Sequence, residues 1–101
     1  MPEFANPFSG LANDRKLTQE ELIRAVRYMV AAEYEAVQLY MQLAESTESE
    51  LAKTVLADIA DEERVHAGEF LRLLRELAPE EEELYQEGYE EVEEIIEKQK
   101  K

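Results

Sequence analysis

The segment ESTESE, residues Glu45 to Glu50, separates two long stretches of amphipathic sequence. On either side of it, apolar residues recur at steps of three and four, which places them on one face of an α-helix. Within the segment this pattern stops, and Thr47 and Glu50 stand at the S/T-x-x-E spacing of a capping box. The segment therefore predicts a turn between a first helix and a second helix that begins near Glu48.

The first helix is predicted to run from about Gln19 to about Glu45. Thr18 and Glu21 have the spacing of a capping box at its start. The apolar face predicted for this helix consists of Leu22, Val26, Met29, Val30, Val37, Tyr40 and Ala44.

The second helix is predicted to run to about Leu77, because Pro79 disfavours helix in the residue before it. Its predicted face consists of Leu51 or Ala52, Val55, Leu56, Ile59, Phe70, Leu73, Leu74 and Leu77. Residues 79–101 read as a short acidic C-terminal helix or linker, interrupted at Gly88. Residues 1–16 contain two prolines and a glycine and read as an extended lead-in. The predicted organisation is thus an N-terminal segment (1–16), a helical hairpin (17–78) and a C-terminal helix (79–101).

The composition of the chain limits the classes of function that it can have. The 101 residues carry a formal net charge of −14, which opposes binding to nucleic acid or to an anionic membrane. There is no cysteine, so nothing indicates a disulfide framework, and no apolar run is long enough to span a bilayer. The sequence therefore predicts an intracellular all-α protein whose negative charge attracts cations.

A hairpin of two helices buries only one seam. Two long amphipathic helices in a chain of this size therefore predict a partner. A symmetric dimer would complete a four-helix bundle.

Three polar residues interrupt the apolar faces: Glu33 on the first helix, and Glu63 and His66 on the second. Glu33 and Glu63 lie at similar distances from the turn, roughly 21–24 Å at a rise of about 1.5 Å per residue. In an antiparallel hairpin they therefore meet at one level. Glu63 and His66 are three residues apart, so they share a face of the helix.

Burying these groups requires compensation, by a hydrogen-bond network, an ion pair or a metal. Di-iron carboxylate bundles use a Glu from each of two helices and a Glu-x-x-His from each of two others. This chain offers half of that set, and a two-fold dimer would complete it. Carboxylate and imidazole ligands suit iron or manganese. A non-metal role, in which the triad fixes the register of the helices, stays open.

At these residues the chain resembles the ferritin-like superfamily, most closely the encapsulated ferritins and the ferritin-like domains of encapsulin fusions. The resemblance rests on AAEYEAVQLY in the first helix and DEERVHAGEFLRLL in the second. It implies an antiparallel two-helix hairpin plus a short C-terminal helix, which dimerises into a ferritin-like four-helix bundle. It also implies rings of ten subunits and enclosure in an encapsulin nanocompartment in the cytoplasm.

The resemblance assigns roles to single residues. It implies that Glu33, Glu63 and His66 are catalytic ligands of two irons at each dimer interface. It places Glu35 near the path by which metal reaches the centre, and Tyr40 beside the centre. Ala32 and Leu39 depart from some members, where a glutamate and a tryptophan stand.

The leading hypothesis is a ferroxidase that oxidises Fe(II) to Fe(III) for iron storage or detoxification with an encapsulin shell. A rubrerythrin-like peroxidase is the second hypothesis, and a non-catalytic helical interaction module is the third. No encapsulin-targeting peptide is recognised before Lys101, so a truncated chain or a domain of a fusion is expected.

Overall fold

The computed structural model describes residues 14–100, which form three helices. Helix α1 spans Gln19–Ser46 and helix α2 spans Glu50–Leu77, both of 28 residues. A single 3₁₀ turn at Pro79–Glu81 leads into helix α3, Glu82–Gln99. The described part of the chain contains no strand. The predicted all-α class, with two long helices and a C-terminal one, is confirmed.

The start of α1 is fixed by a full capping box. The Thr18 side chain accepts a hydrogen bond from the backbone N–H of Glu21 at 3.1 Å, and the Glu21 carboxylate accepts one from the Thr18 N–H at 2.9 Å. Arg15 adds a two-pronged ion pair to the same carboxylate, at 2.7 and 2.6 Å. These bonds satisfy amides that a helix N-terminus leaves open, as the spacing predicted.

The turn between the helices differs in detail from the prediction. Thr47 caps the C-terminus of α1, and the N-cap of α2 is Ser49, whose side chain accepts from the Ala52 N–H at 3.1 Å. The Thr47 hydroxyl instead accepts from the Ser49 N–H at 3.2 Å. The prediction of Thr47 as the cap of the second helix was therefore wrong by two residues, because Thr47 and Ser49 are both good capping residues.

The two long helices pack along a seam of small and branched residues. In α2 the buried residues recur every seven positions, at Ala60, Ala67 and Leu74. Ala60 is completely buried, and a side chain of this size lets two helix backbones approach closely. In α1 the buried residues are Ile23, Val26, Val30 and Ala44.

The predicted apolar faces are only partly buried. Ile23, and not Leu22, joins Val26 in the core at the open end of the hairpin, and Leu22 is 37% exposed. Leu51, Val55 and Leu73 are also exposed. A two-helix seam covers a narrow stripe, so the remaining apolar residues need a second surface.

Charged side chains form a joint between the start of helix α3 and the hairpin. Glu81 accepts hydrogen bonds from Arg27 of α1 and from the hydroxyl of Tyr85 in the first turn of α3. Arg75, near the end of α2, forms a two-pronged ion pair with Glu82, with one N–O distance of 2.8 Å. The helix runs unbroken through Gly88, so the predicted interruption is not present. None of its residues is buried.

The remaining sequence predictions concern residues 1–16 and membranes. Residues 1–13 lie outside the described residues, so the expected extended segment is not observed except at its last three positions. Within residues 14–100, no helix combines the length and the apolar character needed to cross a membrane.

We expect Thr18→Ala to lower the free energy of unfolding by about 1 kcal/mol, because an orphan amide at the start of α1 loses its acceptor. Urea denaturation followed by circular dichroism measures the change. Thr54→Ala is the control, because Thr54 lies inside α2 and bonds only the carbonyl of Glu50 on its own helix. An equal loss in both variants would contradict the assignment of the cap.

Candidate metal centre

Glu33, Glu63 and His66 come together across the seam of the hairpin. Each offers one ligand atom, and these atoms lie within 4.8 Å of one another. The Nδ1 atom of His66 is 3.8 Å from Oε1 of Glu33 and 3.6 Å from Oε2 of Glu63. These distances exceed a hydrogen bond, and they leave room for a cation between the three groups. The three residues predicted from their matched depth are therefore neighbours.

The helical register explains this convergence. Glu63 lies three residues after the buried Ala60, and Glu33 lies three residues after the buried Val30. Each carboxylate thus occupies a position of the apolar seam. His66 lies one turn beyond Glu63 and turns toward the outer side of α2. Its side chain is 48% exposed, against 16% for Glu33 and 19% for Glu63.

The Glu33 carboxylate is not satisfied by protein groups. Its Oε2 atom is buried and has no hydrogen-bond partner among the described residues. A buried carboxylate oxygen without a partner costs free energy, on the order of a few kcal/mol. A divalent cation bridging Glu33 and Glu63 would supply the missing partner, so the residues fit such an ion.

The ionisation of Glu33 reflects the same environment. Burial raises the pKa of Glu33 above its usual range, and the adjacent Glu63 carboxylate raises that pKa further, through contact and like charge. The charge of His66 acts in the opposite direction. This environment favours the protonated form of Glu33, with which a bound metal ion would compete.

Glu35 and Tyr40 lie apart from this group. Glu35 is exposed and is two residues from Glu33, hence about 200° around the helix axis. Tyr40 is half-buried, roughly 10 Å along α1 from Glu33. Their predicted roles, near the metal path and beside the centre, remain predictions.

The side-chain contacts of Glu81 and Glu82 at the start of α3 were not predicted from the sequence. Arg27 and Glu81 are 54 positions apart, and no local spacing links them. Of these contacts, only the one between Glu81 and Tyr85 could have been predicted from local spacing, because the two residues are four positions apart.

One chain provides three ligand residues, two carboxylates and one imidazole. Two Glu and one His are half of the set found in di-iron carboxylate bundles. The His66 side chain is about half exposed, so a second protein surface can reach it. The donor set thus fits a centre shared between two chains.

The chain belongs to the rubrerythrin family of the ferritin-like superfamily, because the Rubrerythrin family model matches residues 25–101. Within it, the chain is of the encapsulated ferritin type. The crystal structure of the encapsulated ferritin domain from Pyrococcus furiosus superposes with a TM-score of 0.79 at 39% identity, over 87% of this chain and 90% of that one.

Two relatives agree with this grouping. A ferritin-like–encapsulin shell fusion protein of Pyrococcus furiosus is 42% identical over 81% of this chain. The encapsulin nanocompartment cargo protein EncC of Myxococcus xanthus is 42% identical over 79% of it. The matches span 24% of the fusion protein and 60% of the cargo protein.

We expect Glu33→Gln to stabilise the metal-free protein at pH 7 by about 1 kcal/mol, because it removes an unpaired buried charge. Since the folded-state pKa of Glu33 is raised, the parent binds a proton more readily when folded than when unfolded. The free energy of unfolding of the parent is therefore lower than that of the variant at neutral pH. This difference disappears as the pH falls below the range in which an unfolded glutamate titrates. Denaturation at several pH values in the presence of a chelator measures this. A gain in the free energy of unfolding that is the same at every pH would contradict the presence of a buried, unpaired charge at Glu33.

Proposed function

We propose that the protein is a ferroxidase whose di-iron centre forms across a subunit dimer. The observation that carries the proposal is the buried Glu33 oxygen without a partner, facing Glu63 and His66. Two copies related by a two-fold axis would bring four carboxylates and two imidazoles to one place. The ferritin-like family of the chain supports iron as the metal.

Each residue has a distinct role in this proposal. Glu33 and Glu63 would hold the ions, because their carboxylates lie on facing helices and carboxylate oxygens are ligands for iron. His66 would contribute its imidazole as a further ligand. The excess of acidic residues over basic ones, 25 against 11, raises the local concentration of Fe(II) around the protein.

The reaction balances with dioxygen as the oxidant. Each of two Fe(II) ions loses one electron, and one dioxygen accepts both electrons together with two protons. Two Fe(III) ions and one hydrogen peroxide leave. The site residues hold the two ions near each other, so that both electrons can reach a single dioxygen.

We further propose that an encapsulin shell encloses the protein in the cytoplasm and receives the oxidised iron. The names of the two relatives support this, since one is a shell fusion and the other a nanocompartment cargo protein. Dimers would assemble further, into the ring that the resemblance implies.

A peroxidase is the second candidate, and the match to the Rubrerythrin family model favours it. In that reaction hydrogen peroxide takes one electron from each of two Fe(II) ions and two protons, and two waters leave. The same three ligands would serve. The two candidates differ in the oxidant that the centre prefers.

We expect His66→Ala to lower the initial rate of oxygen-dependent Fe(II) oxidation at least tenfold, because each ion loses its imidazole ligand. Glu63→Gln is expected to have a similar effect. Absorbance of Fe(III) measures the rate, and light scattering measures the mass of each variant. Glu62→Gln is the matched control, because Glu62 is adjacent but exposed and outside the cluster. Equal rates of Fe(II) oxidation in the parent and in His66→Ala, at equal mass, would refute the proposal. Glu33, Glu63 and His66 would then have a structural role only.

We expect dioxygen, and not hydrogen peroxide, to be the faster oxidant of Fe(II) bound to the parent protein. Anaerobic protein loaded with Fe(II) is mixed in stopped flow with either oxidant at equal concentration. A peroxide rate ten or more times the dioxygen rate would favour the peroxidase.

A further inference from the structure

Two methionine side chains lie on α1, at different distances from the candidate metal centre. The chain contains three methionines and no cysteine. Met1 lies outside the described residues, whereas Met29 and Met41 are both half-buried in α1. Thioether and thiol sulfur atoms are the side-chain atoms that hydrogen peroxide oxidises most readily. The positions of these two methionines therefore determine which sulfur atom meets an oxidant formed at the centre.

Met29 lies one helical turn before Glu33, on the same side of α1. Residues four apart on a helix are neighbours, with Cβ atoms about 5–6 Å apart. Helical side chains lean toward the N-terminus of their helix, so the Glu33 side chain extends over the turn that carries Met29. Met41 is eight residues beyond Glu33, about 12 Å along the axis in the other direction. Of the two methionines, Met29 is the neighbour of the Glu33 carboxylate.

The register of the hairpin brings His66 to the level of Met29. The Gln19 side chain, at the start of α1, donates a hydrogen bond of 3.4 Å to the carbonyl of Leu77 at the end of α2. In an antiparallel pair, each step forward along one helix matches a step back along the other. This contact therefore places His66 opposite Val30, the residue after Met29. His66 and Met29 are thus roughly 1.5 Å apart along the hairpin axis.

Met29 and His66 also point to the same side of the hairpin. Met29 immediately precedes Val30, which is buried in the seam. His66 immediately precedes Ala67, which is buried in the seam from the side of α2. Successive residues differ by about 100° around a helix axis, and the same offset on two antiparallel helices leads to the same side of the pair. Met29 and His66 therefore lie on either side of the space that the three ligand residues surround.

We propose that hydrogen peroxide formed at the candidate centre oxidises Met29 to methionine sulfoxide. The oxidant is the product of the proposed ferroxidase reaction, so this step rests on the proposed function. The thioether sulfur attacks one oxygen of the peroxide, an S–O bond forms and the O–O bond breaks. The sulfur atom gives up two electrons, and the second oxygen leaves as water with both peroxide protons. Each Met29 consumes one molecule of hydrogen peroxide in this way.

This reaction gives Met29 a role that packing alone does not require. Leucine has a similar volume and apolar character, and exchanges between leucine and methionine in protein interiors have small costs. Leucine at this position would fill the same space but would not react with peroxide. The sulfoxide is returned to the thioether by methionine sulfoxide reductases, so a chain can intercept peroxide more than once.

Reaction with dioxygen tests the proposal, with Met41 as the internal control. Protein loaded anaerobically with Fe(II) is mixed with dioxygen in the presence of catalase, which removes peroxide from the bulk solution. Cleavage after glutamate then separates Met29, in residues 22–33, from Met41, in residues 36–45. Mass spectrometry measures the added oxygen atom in each peptide. We expect sulfoxide at Met29 to exceed sulfoxide at Met41 at least fivefold.

Hydrogen peroxide added to the metal-free protein gives the baseline for this comparison. Both methionines are half-buried, so bulk peroxide is expected to oxidise them at similar rates. A ratio of Met29 sulfoxide to Met41 sulfoxide that is no higher in the iron reaction than in this baseline would overturn the proposal.

A second oxidant separates failure of this proposal from failure of the proposed function. Absorbance of Fe(III) is recorded in every sample, so a lack of Fe(III) with dioxygen shows that the ferroxidase reaction has failed. Protein loaded with Fe(II) is also mixed anaerobically with an equal amount of hydrogen peroxide, which needs no dioxygen. Selective oxidation of Met29 in this sample supports its place beside the centre, and the baseline ratio overturns it.

The release of peroxide gives an independent measurement. We expect Met29→Leu to release at least twofold more free hydrogen peroxide per Fe(III) formed than the parent, in dioxygen without catalase. Met41→Leu is the matched control, because it removes a half-buried thioether from the same helix, and it is expected to release as much peroxide as the parent. Equal release from Met29→Leu and from the parent would overturn the proposal.

Discussion

Two carboxylates face each other across the apolar seam of the hairpin, and the candidate site is built on them. Glu33 and Glu63 occupy positions that an ordinary helical hairpin would fill with leucine or valine. Their mutual repulsion and the unpaired Oε2 of Glu33 reduce the stability of the isolated chain. The alanines and valines around them pack the helices closely enough to hold both groups in place. The hairpin thus holds two like charges close together, an arrangement that a bound cation would stabilise.

The same arrangement explains why one chain is incomplete. No large side chain among residues 14–100 is fully buried, and sixteen large apolar or aromatic side chains are exposed. A helix pair covers one stripe on each member, whereas both helices here are apolar over a wider arc. His66 lies at the edge of that arc, beside Glu33 of α1, with about half of its side chain exposed. In the proposed dimer, the approach of a second chain would both complete the ligand set and bury part of the remaining apolar surface.

The sequence predicted the features that follow from local periodicity. The boundaries of both long helices, the capping box at Thr18 and the convergence of Glu33, Glu63 and His66 all rest on spacings within one helix and on equal distances from the turn. The error at Thr47 came from two adjacent capping residues with similar preference. The exposure of Leu22, and burial of Ile23 instead, depend on how the helices rotate against each other. The bond from Arg27 to Glu81 joins distant parts of the chain, and periodicity carries no information about it.

The direction of α3 is set by few atoms. The ion pairs of Glu81 with Arg27 and of Glu82 with Arg75 act at its start, while the whole helix is about 27 Å long at the usual rise. A rotation of roughly 10° at this joint would displace the far end by about 5 Å, the distance of one helical turn. Two carboxylates near the surface, Glu81 and Glu82, therefore set where the far end of α3 lies relative to the hairpin.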